Sequence, residues 1–87
     1  MELTALRPFV AIAEEGHITR AAQRLWVTQP ALSAMVKKLE SEVGVALVER
    51  TGRGVELTAA GRVFDEHAQA AVRRADKAIV FVWVLKG

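Results

Sequence analysis

The chain has no cysteine among its 87 residues. That removes a disulfide framework, a thiolate zinc site and a cysteine nucleophile together, and it fits a reducing compartment. Histidine is nearly absent: His17 and His67 stand far apart. No G-x-S-x-G, H-E-x-x-H or phosphate-loop pattern occurs, and the acidic residues are scattered singly or lie on helix faces. A catalytic site needs a constellation, and none is offered, so the expectation is a non-enzyme with no cofactor and no metal. Aromatic residues make up only 6% of the chain. Stacking platforms for single-stranded RNA are therefore lacking. Charge of either sign is not in large excess: 12 Lys and Arg face 10 Asp and Glu, for a formal +2. Long apolar runs are missing too. The longest covers residues 79–85, whereas a membrane span needs about 20 residues. Met1-Glu2-Leu3-Thr4 opens no basic-then-apolar signal. A cytoplasmic location without a membrane partner is expected.

The hydrophobic share, 52%, is enough for one small packed domain. Leu3, Leu6, Phe9, Val10 and Ala13 recur at helical spacing, which predicts a helix over 4–15 closed by Gly16. Pro8 falls inside that pattern and fits a start near Leu6 or Arg7. Ile18, Ala21, Ala22 and Leu25 form a second, short apolar face. Trp26-Val27 connects it to Thr28, a good N-cap, with Pro30 in the first turn of a third helix. Leu32, Val36, Leu39 and Val43 give that helix one buried stripe, and Gly44 stops it. The period then shortens. Residues 45–50 and 55–57 read as strands around the loop Thr51-Gly52-Arg53-Gly54, whose two glycines are available for positive φ. Thr58 caps a long final helix. Its Phe64, Ala68, Ala71, Ala75, Ala78, Val82 and Leu85 step by four and three, a heptad seam that favours pairing with a second copy over covering its own domain. The division expected is 1–58 for a compact unit and 59–87 for a linker and dimerisation helix.

Residues 18–37 fit a helix-turn-helix. Ala22 is small where the helices cross, and Ile18, Ala21, Leu25, Val27, Leu32 and Met35 are placed to close its mini-core. Trp26 stands where such turns often carry glycine, so the indole is expected packed or at the rim. Opposite the apolar stripe, the third helix carries Pro30, Ala34, Lys37 and Ser41, flanked by Ser33 and Lys38, with Gln29 at its start. Carboxylates are absent from this surface until Glu40. Small residues allow close approach to a DNA groove, amides and hydroxyls reach base edges, and cations meet phosphates. The helix N-terminus beside Thr28 adds backbone N–H groups for a phosphate. Arg53, between two glycines at the tip of a ribbon, suits a narrow and strongly negative minor groove, and Arg50 could touch the DNA backbone. Arg20 and Arg24 either meet phosphate or pair with nearby acids.

In order and spacing these residues resemble the N-terminal domain of LysR-type transcriptional regulators. The segments that carry the resemblance are residues 9–16, 19–25 and 27–33, Leu39-Glu40, Val43-Gly44 and residues 53–61, which together cover most of residues 3–64. The resemblance implies a mainly α, winged helix-turn-helix fold of three helices and a two-stranded hairpin (helix-turn-helix 18–37, wing 45–57), followed by a long helix that pairs with its copy. It implies double-stranded DNA as partner, with Thr28, Gln29, Pro30 and Ser33 in the major groove and Arg53 in the minor groove; the residues' own placement adds Ala34, Lys37 and Arg50 to the expected DNA-binding set, and a two-fold protein predicts an interrupted inverted repeat. It implies a homodimer through Phe64, Ala68, Ala71, Ala75, Ala78 and Val82, a higher oligomer in a full-length protein, RNA polymerase as a candidate partner, and a bacterial cytoplasmic, nucleoid-associated location. Many members carry arginine at the position of Ala34 and a polar or basic residue at that of Met35. Base reading by this helix is accordingly expected to be thinner, with Lys37 or the wing doing more. The effector-binding domain usual in the family is expected to be absent from this chain. A protein-docking module and an RNA binder are the rivals, and the polar outer face of the third helix weighs against the first.

Overall fold

The computed structural model describes residues 5–87. Leu3 and Thr4, placed in the first helix by periodicity, lie outside them. The described elements run α1 (Leu6–Glu15), α2 (Ile18–Leu25), α3 (Gln29–Val43), β1 (Val48–Thr51), β2 (Gly54–Leu57) and α4 (Ala59–Lys86). With α1 starting at Leu6, Pro8 falls in the first turn, where a missing N–H leaves no helical bond unmade. Gly16 ends α1 at φ 69°, its N–H donating to the Ile12 carbonyl at 2.9 Å.

Two apolar clusters hold the elements together. One joins Ala11 and Ile12 of α1, Ile18, Ala21 and Ala22 of α2, and Leu32 and Val36 of α3, with Leu25, Val27, Val48 and Val55 packed at its border. The other is built on Phe9, Leu39 and Leu47, with Leu57, Ala60 and Phe64 against it. Two residues expected in the core are not in it. Val43 is 43% exposed, because α3 outruns the elements beneath it, and Met35 is 41% exposed. Met35 sits about 60° round the helix from Leu32, on the rim of the stripe that Leu32, Val36 and Leu39 centre.

The hairpin is shorter than its apolar run. β1 and β2 pair antiparallel from Val48↔Leu57 to Thr51↔Gly54, so the loop is the two residues Gly52 and Arg53. Residues 45–47 find no partner strand. Thr58 takes their carbonyls instead: its N–H donates to Leu47 O at 3.0 Å and its hydroxyl to Ala46 O at 2.7 Å. The same hydroxyl accepts from the Gly61 N–H at 3.0 Å and so caps α4.

α4 has 28 residues, about 42 Å of helix, in a molecule 49 Å long. Its first turns pack on α1. Phe64 meets Phe9 edge to face, with ring centroids 5.1 Å apart and planes at 84°, and Ala68 is 3% exposed. The expected heptad seam is thus divided. Phe64 and Ala68 are occupied by their own core, because that face of α4 is the one α1 covers. Ala71, Ala75, Ala78 and Val82 remain exposed. An ion pair between Arg7 of α1 and Asp76 of α4 bridges the two helices further along; the hydrogen bond to Asp76, and then its charge, raise the Arg7 pKa.

Candidate nucleic-acid interface

Thr28 begins the site. Its backbone is extended, and its hydroxyl oxygen accepts from the Ala31 N–H at 3.2 Å, which starts α3 and leaves the hydroxyl hydrogen free to donate. Gln29, Pro30, Ala34 and Lys37 then follow as exposed residues, with Ser33 half-buried among them. The first carboxylate along α3, Glu40, lines the same groove as Ser33, Lys37 and Arg50 but is committed to the hairpin backbone. Glu40 Oε2 accepts from the backbone N–H of Leu47 at 2.7 Å and of Val48 at 3.2 Å. The negative charge is therefore held at the root of the hairpin, and the face of α3 ahead of it is polar and cationic.

The hairpin is fixed beside that face at three places. Glu40 ties down its root. Midway, Arg50 Nη2 donates to Ser33 Oγ at 3.0 Å, across the groove that Lys37, Val48 and Val55 also line. On the return strand, the Val55 N–H donates to the Gly16 carbonyl at 2.8 Å. This last contact needs Gly54. A Cβ there would overlap the Gly16 carbonyl oxygen and stand 2.9 Å from His17 Nδ1, and the residue adopts φ 142°. Of the two loop glycines, only Gly54 has positive φ. At the tip, the Arg53 N–H donates to Thr51 Oγ1 at 3.2 Å, and the Arg53 side chain is exposed.

Of the residues singled out from the sequence, Ser33, Lys37 and Arg50 line one groove, with two qualifications. Arg50 and Ser33 spend a donor and an acceptor on each other, so part of their capacity joins wing to helix. Arg24 bonds Glu14 at 3.3 Å and Glu15 at 3.4 Å, which leaves its charge compensated on the α1–α2 side. The supporting roles of Glu40 and Gly61 escaped the sequence reading, and Gly54 was read as a positive-φ glycine without its contact to Gly16. A carboxylate one turn before a helix-ending glycine was the only signal for the first. Among the described residues, no group of His, Asp and Glu is placed to hold a metal ion, and no helix is long and apolar enough to cross a membrane.

A helix-turn-helix whose second helix is bare on its polar side, with a hairpin braced against it, defines the winged helix-turn-helix class. Comparison with known proteins narrows this. Residues 3–62 match the family model "Bacterial regulatory helix-turn-helix protein, lysR family", and the chain belongs to that family. It is 52% identical over 79 residues to the HTH-type transcriptional regulator AlsR of Bacillus subtilis, covering 91% of this chain and 26% of that protein. It is equally similar, at 52% over 79 residues, to BudR of Klebsiella aerogenes, covering 91% of this chain and 55% of BudR. The chain thus spans about a quarter to a half of these relatives. Among solved structures, a BenM DBD complex with catB site 1 DNA superposes with TM-score 0.95 at 37% identity, covering 100% of this chain and 98% of that one. A CbnR DBD–DNA complex superposes with TM-score 0.89 at 39% identity over the whole of both chains.

Proposed function

We propose that this chain binds double-stranded DNA sequence-specifically, as the DNA-binding domain of a LysR-type transcriptional regulator. The observation that carries the proposal is the Arg50–Ser33 bond. It holds the wing alongside the polar face of α3, so that α3 in a major groove brings Arg53 to the neighbouring minor groove. Similarity to the BenM and CbnR DBD–DNA complexes supports DNA binding. In this reading Gln29, with Ser33 as far as Arg50 leaves it available, reads base edges. Pro30 and Ala34 permit close approach, and Thr28, Lys37 and Arg50 meet the sugar-phosphate backbone. Role follows from position, without chemistry on the DNA.

The domain acts as a homodimer through the exposed Ala71, Ala75, Ala78 and Val82 of α4, and a two-fold protein calls for an interrupted inverted repeat. Where the dimer sits relative to RNA polymerase would decide activation or repression, in the cytoplasm of a bacterium.

Selection of bound sequences from random duplex DNA tests this reading: an enriched inverted repeat is expected, and recovery of no preferred sequence overturns it. On the selected site, Gln29→Ala should cost about 1–3 kcal/mol and much less on random duplex. Equal losses on both would reduce Gln29 to a backbone contact. Arg53→Ala should weaken binding to sites with A·T-rich flanks in a mobility-shift titration, and an unchanged affinity would remove the wing from the interface.

A further inference from the structure

The one non-glycine residue with positive φ among the described residues is Trp26, at φ 59°, ψ 40°. It closes α2. Its N–H donates to Gln23 O at 3.2 Å, and the next N–H, of Val27, donates to Ala22 O at 3.0 Å. This paired arrangement places a left-handed residue just past the helix end, a position that suits glycine or asparagine and is costly for a bulky side chain. The indole recovers nothing from the fold, for Trp26 is 94% exposed. A large aromatic held in a strained conformation and left in water calls for a use outside the domain.

Its place says which use. Trp26 stands two residues before Thr28, the cap of α3, and Val27 between them packs against the border of the core, so the turn is anchored and the indole is carried near the α3 N-terminus. A helix with its side chains is about 10–12 Å across and the major groove about 12 Å wide. A helix seated in the groove leaves no room beside it for an indole, so an indole at its N-terminal end would lie at the bordering sugar-phosphate ridge. We infer, resting on the DNA-binding reading above, that Trp26 is a DNA-backbone contact: its ring lies on deoxyribose and its Nε1–H donates to a phosphate oxygen. Such a contact carries no charge and sees no base. It adds affinity equally on every sequence and releases no counterion.

These properties separate it from any other role. Trp26→Gly should melt at the same or a higher temperature than the parent, since glycine accepts the left-handed backbone. It should lose roughly tenfold in duplex affinity, the size of one well-made polar contact, equally on selected and random sequences and with an unchanged salt slope. Trp26→Phe, which keeps a ring and lacks the N–H, should lie between. In a Trp83→Phe background Trp26 is the sole tryptophan, and its quenching by acrylamide should drop when duplex is added. If the parent binds duplex and Trp26→Gly binds as tightly, with the indole still quenchable, the assignment is overturned and Trp26 faces a protein partner. If the parent binds no duplex at all, the DNA reading falls and this one with it.

Discussion

Gly61→Ala should unfold this domain well below the melting temperature of the parent. Gly61 is buried in the first turn of α4, and a Cβ there would overlap the Leu47 carbonyl oxygen and lie 2.9 Å from its carbonyl carbon. Both are backbone atoms, and the same carbonyl accepts from the Thr58 N–H, so it cannot swing aside without breaking the hairpin's closure. Leu47 itself is fully buried. Either α4 or the hairpin root must move. Overpacking of this kind costs about 3 kcal/mol, at the upper end of its usual range, and in a domain of this size that is roughly 12–24 °C in Tm. Alanine is the better helix former by about 1 kcal/mol, so intrinsic propensity predicts the opposite sign. Thermal melting followed by circular dichroism decides between the two, and a melting temperature at or above the parent's would mean that the close approach of α4 to Leu47 is not real.

Ala71→Glu should convert the proposed dimer to monomers. Ala71 is exposed one turn beyond Ala68, the last α4 residue that the domain buries. It therefore opens the part of the heptad left over for a second copy. A glutamate facing its symmetry mate across an alanine seam adds bulk where helix axes must approach closely and places like charges together in a drying interface. The fold should be untouched, because Ala71 is exposed. Loss of the second half-site contact should lower affinity for an inverted repeat by about 10²–10⁴-fold while a single half-site is bound as before. Sedimentation velocity reads the first effect and titration of the two duplexes the second. An intact dimer would move the interface away from this helix.

The local features were readable from residue order. Thr28 and Thr58 cap helices, and Gly16 and Gly44 end them, because each bonds a neighbour within four residues. The α2 and α3 apolar faces follow from helical period alone. Contacts between distant segments were not readable. Nothing in the order of residues says that Glu40 turns inward to two N–H groups of the hairpin root, or that Gly54 lies against Gly16. The heptad was visible, but its division was not: Phe64 and Ala68 obey the same spacing as Ala71 and Ala75, and only the position of Phe9 and α1 assigns the first pair to the domain's own core.

Amino-acid order by itself settled the element sequence, the helix limits to within a residue or two except the C-terminal end of α4, and the polar character of the exposed side of α3. These rest on short-range hydrogen bonds and on the 3.6-residue repeat, which any segment carries with it. Tertiary structure alone decided that the wing is tied to that side through Arg50 and Ser33, that Glu40 is bonded to the hairpin root, and that Trp26 is left in water in a left-handed backbone. Those outcomes depend on where separate elements come to rest against one another, and burial of the shared apolar clusters sets that placement.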